Sequence, residues 1–202
     1  MKCSCEWCND ENIYNKKLNL CHKHYQQMKR HGRLFKTIYD PNDIIIYESH
    51  SEIILRNKSG DEINRAIIDN EFINEVSSYK WCLQSQGYVL CRELNMYLHV
   101  FILGKNEDTK YRIDHINRNP LDNRLSNLRY ATAQENSRNK SIQKNNTSGC
   151  TGVHLIKSVN KWQATININE NHMYLGIYDD KDEAIRVRKE AEEKYFGEFS
   201  PK

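Results

Sequence analysis

The residues most suited to chemistry lie in one short stretch, 112–140, which carries Asp114 directly beside His115, five arginines and spaced asparagines, but no glycine. A loop built only for turning leans on Gly and Pro. This stretch holds a carboxylate, an imidazole and carboxamides. An Asp oxygen and an Asn carbonyl oxygen are hard donors that suit Mg2+ or Mn2+, with water and phosphate completing the shell. Asp114 and Asn136 are therefore the candidate ligands. If the strand is regular, His115 points away from Asp114; it can instead take a proton from an attacking water, because its ordinary pKa lies near neutrality. Arg118, Arg124, Arg129 and Arg138 can hold or neutralise phosphates. Singly, each is an ordinary solvated charge; their clustering around a candidate metal site argues for more.

A second constellation opens the chain. "CSCEWC" is followed by "LCHKHYQQMKRHGRLFK". Cys8, Cys21 and His24, completed by Cys3 or Cys5, would give Zn2+ a tetrahedral shell of three sulfurs and one nitrogen. The segment is too short to bury a core, so metal would supply its folding energy. Four of the seven cysteines fall in the first 21 residues, which fits metal ligation in a reducing compartment better than disulfides.

These groups need elements to hold them. "RIDHI" and "LRYAT" read as strands joined by a loop with Asn119-Pro120 and Asp122-Asn123 as turn formers. Thr132 and Glu135 form a capping box that opens a helix over "AQENSRNK". This order can bring Asp114 and His115 near Asn136. Upstream, "YQQMKRHGR" reads as a basic helix ending near Gly32. "DIIIYES", "SEIILRN" and "GYVLCREL" are strand-like, and "DNEFINEVSSYKW" is a short helix. Downstream, "KWQATININ" alternates, with Trp162, Ala164, Ile166 and Ile168 on one face. "NENH" turns, "MYLGIY" returns, and a helix runs from Asp180 to Gly197 with an apolar stripe of Ala184, Val187, Ala191 and Tyr195. The outer face, with Asn, Thr, Gln, His and Tyr, could read bases, or could be a simple wetted face.

The expected fold class is α+β in several modules: a zinc-stabilised unit over 1–36, a small α+β unit leading into a ββα core (111–140) within 41–144, and a three-stranded antiparallel sheet with a helix over 147–200. Mean hydropathy is −0.85 and hydrophobic content 38%, which favours several small polar modules over one large core. No run of 18 apolar residues occurs, so no membrane partner is expected, and the chain reads as intracellular. Net charge is only +3, yet residues 1–36 carry eight Lys/Arg against three Asp/Glu, and 112–144 carry seven against three. Two basic segments around an acidic one point to local contact with a polyanion.

The pattern "DH", "DNRLSNLR", "T" and "EN", with "YLH" upstream, resembles the HNH homing endonucleases of the ββα-metal fold. His115 precedes Asn127 by twelve residues, and Asn136 follows nine later. The resemblance implies that His115 is the general base, that Asn127 braces the loop and orients the histidine, and that Asp114 and Asn136 share Mg2+ or Mn2+. Val100 stands where relatives usually carry Arg. "SGCTGVHLIKSVNKWQATI", "YLGIYDDKDEAIRV" and "FGEFS" are similar to the plant ethylene-response-factor (APETALA-type) DNA-binding domain. That similarity implies base-facing positions at Thr151, His154, Lys161, Gln163, Thr165, Asn167, His172 and Tyr174. The N-terminal segment resembles zinc modules found ahead of such nucleases, whose spacing favours Cys3 over Cys5. Together the resemblances imply a site-specific nuclease of double-stranded DNA encoded by a phage or mobile element and acting in the cytoplasm of a bacterial cell; one active site per chain and the absence of heptads favour a monomer that nicks one strand. The alternative is a non-catalytic DNA-binding regulator; presence of Asp114, His115 and Asn136 argues against it.

Overall fold

The computed structural model describes residues 5, 7–8, 11–139, 142, 145–169 and 171–200. The chain is a mixture of small antiparallel sheets and short helices, divided into two compact units: residues 1–107 with 119–129, and residues 108–118 with 130–202.

The first unit begins with a hairpin of β1 (Ile13–Asn15) and β2 (Leu20–Cys21), followed by α1 (His22–His31). Helix α1 ends where Gly32 adopts the left-handed conformation (φ 67°) and its N–H donates to Met28 O at 2.8 Å, as expected for a glycine just past a helix end. Strands β3 (Ile44–Ile46), β4 (Ser51–Arg56) and β5 (Glu62–Ile68) form one antiparallel sheet. Helix α2 (Ile73–Ser77) follows. Then β6 (Trp81–Leu83), β7 (Val89–Cys91) and β8 (Met96–Tyr97) form a second sheet, and α3 (Leu98–Leu103) closes this run. Ile53, Leu55, Ala66, Ile68, Val76, Trp81, Val89 and Leu98 are buried. Asn42 ties the two sheets: its Nδ2 donates to Ile54 O and Trp81 O, both at 3.0 Å, and its Oδ1 accepts from Trp81 N at 2.8 Å.

In the second unit, β9 (Tyr111–His115) pairs with β10 (Leu128–Thr132), whose Tyr130–Thr132 belong to this unit, and α4 (Ala133–Arg138) follows. Helix α4 starts on a complete capping box: Glu135 N donates to Thr132 Oγ1, and Thr132 N donates to Glu135 Oε2 at 2.7 Å. Strands β11 (Val153–Ile156), β12 (Lys161–Ile168) and β13 (Asn171–Tyr178) form an antiparallel sheet in that order. Helix α5 (Lys181–Phe196) packs on it, capped by Asp180, whose carboxylate accepts from Glu183 N at 3.1 Å. Cys150, Val153, Ala164 and Ala184 form one core cluster, with Trp162 packed against it; Ile166, Ala191 and Phe196 form another.

Two expectations for this unit are corrected. The buried stripe of α5 is Ala184, Arg188, Ala191, Glu192 and Phe196, while Tyr195 is exposed. The helix is rotated from the purely apolar reading because the sheet requires a donor. A register shift between Ala164 and Thr165 interrupts the β12–β13 ladder. Arg188 fills the gap, donating from Nη1 to Thr165 O and from Nε to Glu192 Oε1 at 2.9 Å. The same bulge turns Thr165 inward, with its N–H on Gly152 O at 2.8 Å. Thr165 is therefore withdrawn from the face expected to meet DNA.

Asparagine explains how so polar a chain turns so often with eight glycines. Asn19, Asn95, Asn160 and Asn169 sit at positive φ, between 48° and 53°. Asn tolerates that region better than other side-chain-bearing residues because its short amide bonds locally.

Candidate active site and metal cluster

Asp114 and His115 end β9, and both are buried. A turn follows at once: Arg118 N donates to His115 O at 2.9 Å, and Arg118 itself is left-handed (φ 63°). A non-glycine, non-asparagine residue there carries strain that its surroundings must hold. They do so through Asn139, just past α4, a residue that the sequence reading passed over. Its Nδ2 donates to both Asp114 carboxylate oxygens at 3.1 Å and to His115 O at 2.9 Å, while its Oδ1 accepts from Arg118 Nε at 3.2 Å. Asn136 lies one helical turn earlier on α4 and is half-buried. The signal for Asn139 was available: N-x-x-N puts both carboxamides on one side of a helix. Arg138 stacks over the Phe196 ring at 4.2 Å from its centroid. Arg118 and Arg138 line a cleft of about 910 Å3 in this unit, together with Asn167, His172 and Lys189.

The segment 119–129, in the first unit, is docked rather than free. Ile67 N donates to Leu121 O at 2.7 Å and Asn123 N to Ile67 O at 2.8 Å, so the loop extends the edge of β5. Asp69 accepts from Leu125 N at 2.8 Å. Asn127 is buried and donates from Nδ2 to Asp122 O at 2.7 Å, closing the loop on itself. Arg124 is bidentate on the Asp122 carboxylate, at 2.8 and 2.7 Å. That bond raises the guanidinium pKa, with burial opposing. Arg124 is thus committed to an internal partner, and Arg129 is half-buried in β10.

The Cys/His group lies in the first unit. One donor atom from each of Cys5, Cys8, Cys21 and His24 falls within 4.8 Å of the others, and the group could hold a metal ion. Cys8 Sγ and Cys21 Sγ are 3.7 Å apart; His24 Nδ1 is 3.3 Å from Cys5 Sγ and 3.4 Å from Cys21 Sγ. A tetrahedron with arms of about 2.3 Å has edges of about 3.8 Å, so the spacing fits thiolate ligation. Burial pushes the Cys5 thiol up, but hydrogen bonds from the Cys21 and Trp7 backbones outweigh it, and the thiol titrates below its ordinary value. Cys3 lies outside the described residues. His24 presents its other nitrogen, Nε2, to Asp40 Oδ1 at 3.0 Å, and both side chains are fully buried. Asp40 is held in turn by Thr37 N and Thr37 Oγ1, both at 2.9 Å, and by Lys23 Nζ at 2.5 Å. A carboxylate behind a ligating histidine fixes its tautomer and ring orientation.

On the C-terminal sheet, His154, Asn167, His172 and Tyr174 are exposed, and Lys161 and Gln163 are half-buried. His172 Nδ1 lies 2.7 Å from Asn167 Oδ1, across the strands. Lys161 pairs with Asp179 at 3.0 Å.

A family model described as HNH endonuclease matches residues 100–138, the stretch containing Asp114, His115, Asn127 and Asn136. An uncharacterized HNH endonuclease of Acanthamoeba polyphaga mimivirus is 37% identical over 131 residues, covering 62% of this chain and 67% of that protein. The chain belongs to the HNH endonuclease family. As a member it is an endonuclease, a phosphodiester hydrolase acting on DNA. Protein 3.8 of Escherichia phage T7 is 46% identical over 56 residues, 28% of this chain and 46% of the phage protein. No solved structure matches this chain. Among the described residues, no helix is long and apolar enough to cross a membrane.

Proposed function

We propose that this HNH endonuclease nicks one strand of double-stranded DNA at specific sites, as a monomer, using one divalent ion. The observation that carries the reading is the buried Asp114–His115 pair at the end of β9, with the carboxamide of Asn139 holding the carboxylate. The donor set fits Mg2+ or Mn2+. A carboxylate oxygen and a carboxamide oxygen are hard donors of the kind these ions take. Asp114 and Asn136 would hold the ion, which would neutralise charge on the scissile phosphate and the leaving 3′ oxygen. His115 in its neutral form takes the proton of the attacking water, leaving 5′-phosphate and 3′-hydroxyl ends. Asn127 keeps the connecting loop in one shape, a role that its bond to Asp122 O supports. Arg118, Arg129 and Arg138 meet phosphates.

The other parts fix the enzyme on its substrate. Residues 1–36 form a Zn2+ module with Cys5, Cys8, Cys21 and His24 as ligands; Cys5 takes the place that spacing had favoured for Cys3. Residues 41–144 are the nuclease domain. Residues 147–200 resemble the ethylene-response-factor domain and present His154, Lys161, Gln163, Asn167, His172 and Tyr174 to the groove. Relatives in a virus and a phage fit an origin in a mobile element whose product works in the host cytoplasm.

The test is cleavage of supercoiled plasmid carrying candidate target DNA, with Mg2+, Mn2+ or EDTA, comparing wild type with His115→Ala. A general base contributes ~10²–10⁴-fold. Open circle should form with metal, fall by that factor in the variant, and leave DNA binding unchanged. Equal cleavage by both proteins would remove His115 from the mechanism, and linear product would replace the monomeric nickase with paired cutting.

A further inference from the structure

We propose that Asn139 is the positioning residue of the nuclease site, aiming the Asp114 carboxylate at the divalent ion and tying it to the backbone of His115. The inference rests on the reading of Asp114 as a metal ligand. Asn139 is buried at the C-terminal end of α4, with its own N–H on Asn136 O at 3.2 Å. Every hydrogen-bonding group of its amide is used. One N–H is shared between the two Asp114 oxygens at 3.1 Å, the other reaches His115 O at 2.9 Å, and the carbonyl oxygen accepts from Arg118 Nε at 3.2 Å.

The partners also fix which way the amide faces. A guanidinium N–H only donates and a backbone carbonyl only accepts. Flipping the amide would set donor against donor at Arg118 and acceptor against acceptor at His115. The shared bond to both oxygens holds the plane of the carboxylate. His115 O accepts twice, from Asn139 and from Arg118 N at 2.9 Å, so the same amide pins the strained turn after the histidine. Asn139 thus connects, through hydrogen bonds alone, the carboxylate, the main chain of the histidine and Arg118.

Groups of this kind behind metal ligands typically change metal affinity or activity by about 10- to 100-fold when removed. The experiment is Mn2+ binding to the full chain without DNA, read from loss of the free-ion electron paramagnetic resonance signal, with the Cys/His group loaded beforehand with one equivalent of Zn2+ and free Zn2+ removed, since Zn2+ would outcompete Mn2+ at the nuclease site. Wild type, Asp114→Ala, Asn139→Ala and Asn139→Ser are compared, with circular dichroism and urea unfolding of each. The expected result is that Asp114→Ala loses the site, while both Asn139 variants bind about 10- to 100-fold more weakly and stay folded. Plasmid cleavage by the Asn139 variants should then return at saturating Mn2+, which a damaged fold would not allow. If Asp114→Ala binds Mn2+ like wild type, the ligand reading fails and this proposal with it. If Asp114→Ala loses the site but a folded Asn139 variant keeps wild-type affinity, Asn139 is only a structural clamp and the ligand reading survives.

Discussion

Asp40→Ala should weaken metal binding at the Cys/His group without touching any ligand. His24 Nε2 and the Asp40 carboxylate face each other at 3.0 Å, both fully buried. With Nδ1 directed at the sulfurs, a metal bound there would leave the proton on Nε2, the nitrogen that faces the Asp40 carboxylate. Truncation to Ala leaves that N–H without its carboxylate and lets the ring rotate away from the ligating pose. Loss of such an outer partner costs about 10- to 100-fold in affinity, or about 1.4–2.7 kcal/mol. Because so short a segment depends on metal for its fold, the same loss should appear as release at a lower chelator concentration. Asp40→Asn keeps an oxygen acceptor but no charge, so it should fall between Ala and wild type. The assay is competition for Zn2+ against a chromophoric chelator. Equal affinity of wild type and Asp40→Ala would refute the reasoning, since the carboxylate would then be contributing nothing through the histidine. A loss in Asp40→Asn as large as in Ala would show that charge, not acceptance, is what matters.

Gly152→Ala should destabilise the second unit by about 2 kcal/mol or more, because residue 152 is left-handed (φ 81°) and a Cβ would collide with Thr165 O and lie 2.8 Å from Arg188 Nη1; the urea midpoint reads it. Glu192→Ala should cost about 3–5 kcal/mol by leaving Arg188 buried without its carboxylate, whereas Arg188→Met with Glu192→Leu should recover part of this but not all, since Thr165 O still loses its donor. For Asp43, burial acts to raise the pKa, but bonds from Lys36 and Arg56 outweigh it and hold it below the ordinary carboxylate value. The folded pKa is depressed, so its stabilisation is complete above the ordinary value and is lost as pH falls through the folded one. Wild type should therefore exceed Asp43→Asn in unfolding midpoint at pH 7, modestly for so exposed a pair, and the gap should close on acidification.

Local chemistry was legible wherever a short-range rule governed it. The Thr132–Glu135 box, the Asp180 cap, the Gly32 stop and the β12–β13 hairpin are each set by residues within four positions of one another, and each stands as the sequence implied. What escaped were features set by distant partners. Thr165 alternates correctly for an outward residue, but the bulge between Ala164 and Thr165 turns it inward, onto Gly152 and Arg188. The buried face of α5 includes Arg188 and Glu192, which no apolar periodicity can mark. The docking of residues 119–129 on β5 was hidden because their turn formers also describe a free loop. Trp81–Leu83 pairs with its neighbour Val89–Cys91, but the bonds at its start come from Asn42, far away in sequence. At the candidate site, Asp114 and His115 announced themselves by type, whereas Asn139 was one asparagine among many.

Those asparagines and the metal group answer the same physical problem. Domains this small cannot bury enough apolar surface to fix every loop, and a mean hydropathy of −0.85 makes that acute. A buried amide is costly when unpaired but orders the chain firmly when all its groups are satisfied. Asn42, Asn127 and Asn139 each bind main-chain groups, so each fixes backbone rather than merely filling space. Near a hydrolytic site this has a further use. A hydrophobic clamp could hold the loop but could not set the plane of a carboxylate, and an ionic clamp would compete with the substrate phosphate for charge. A neutral carboxamide does neither harm. It holds Asp114 and the main chain of His115 without adding a charge of its own.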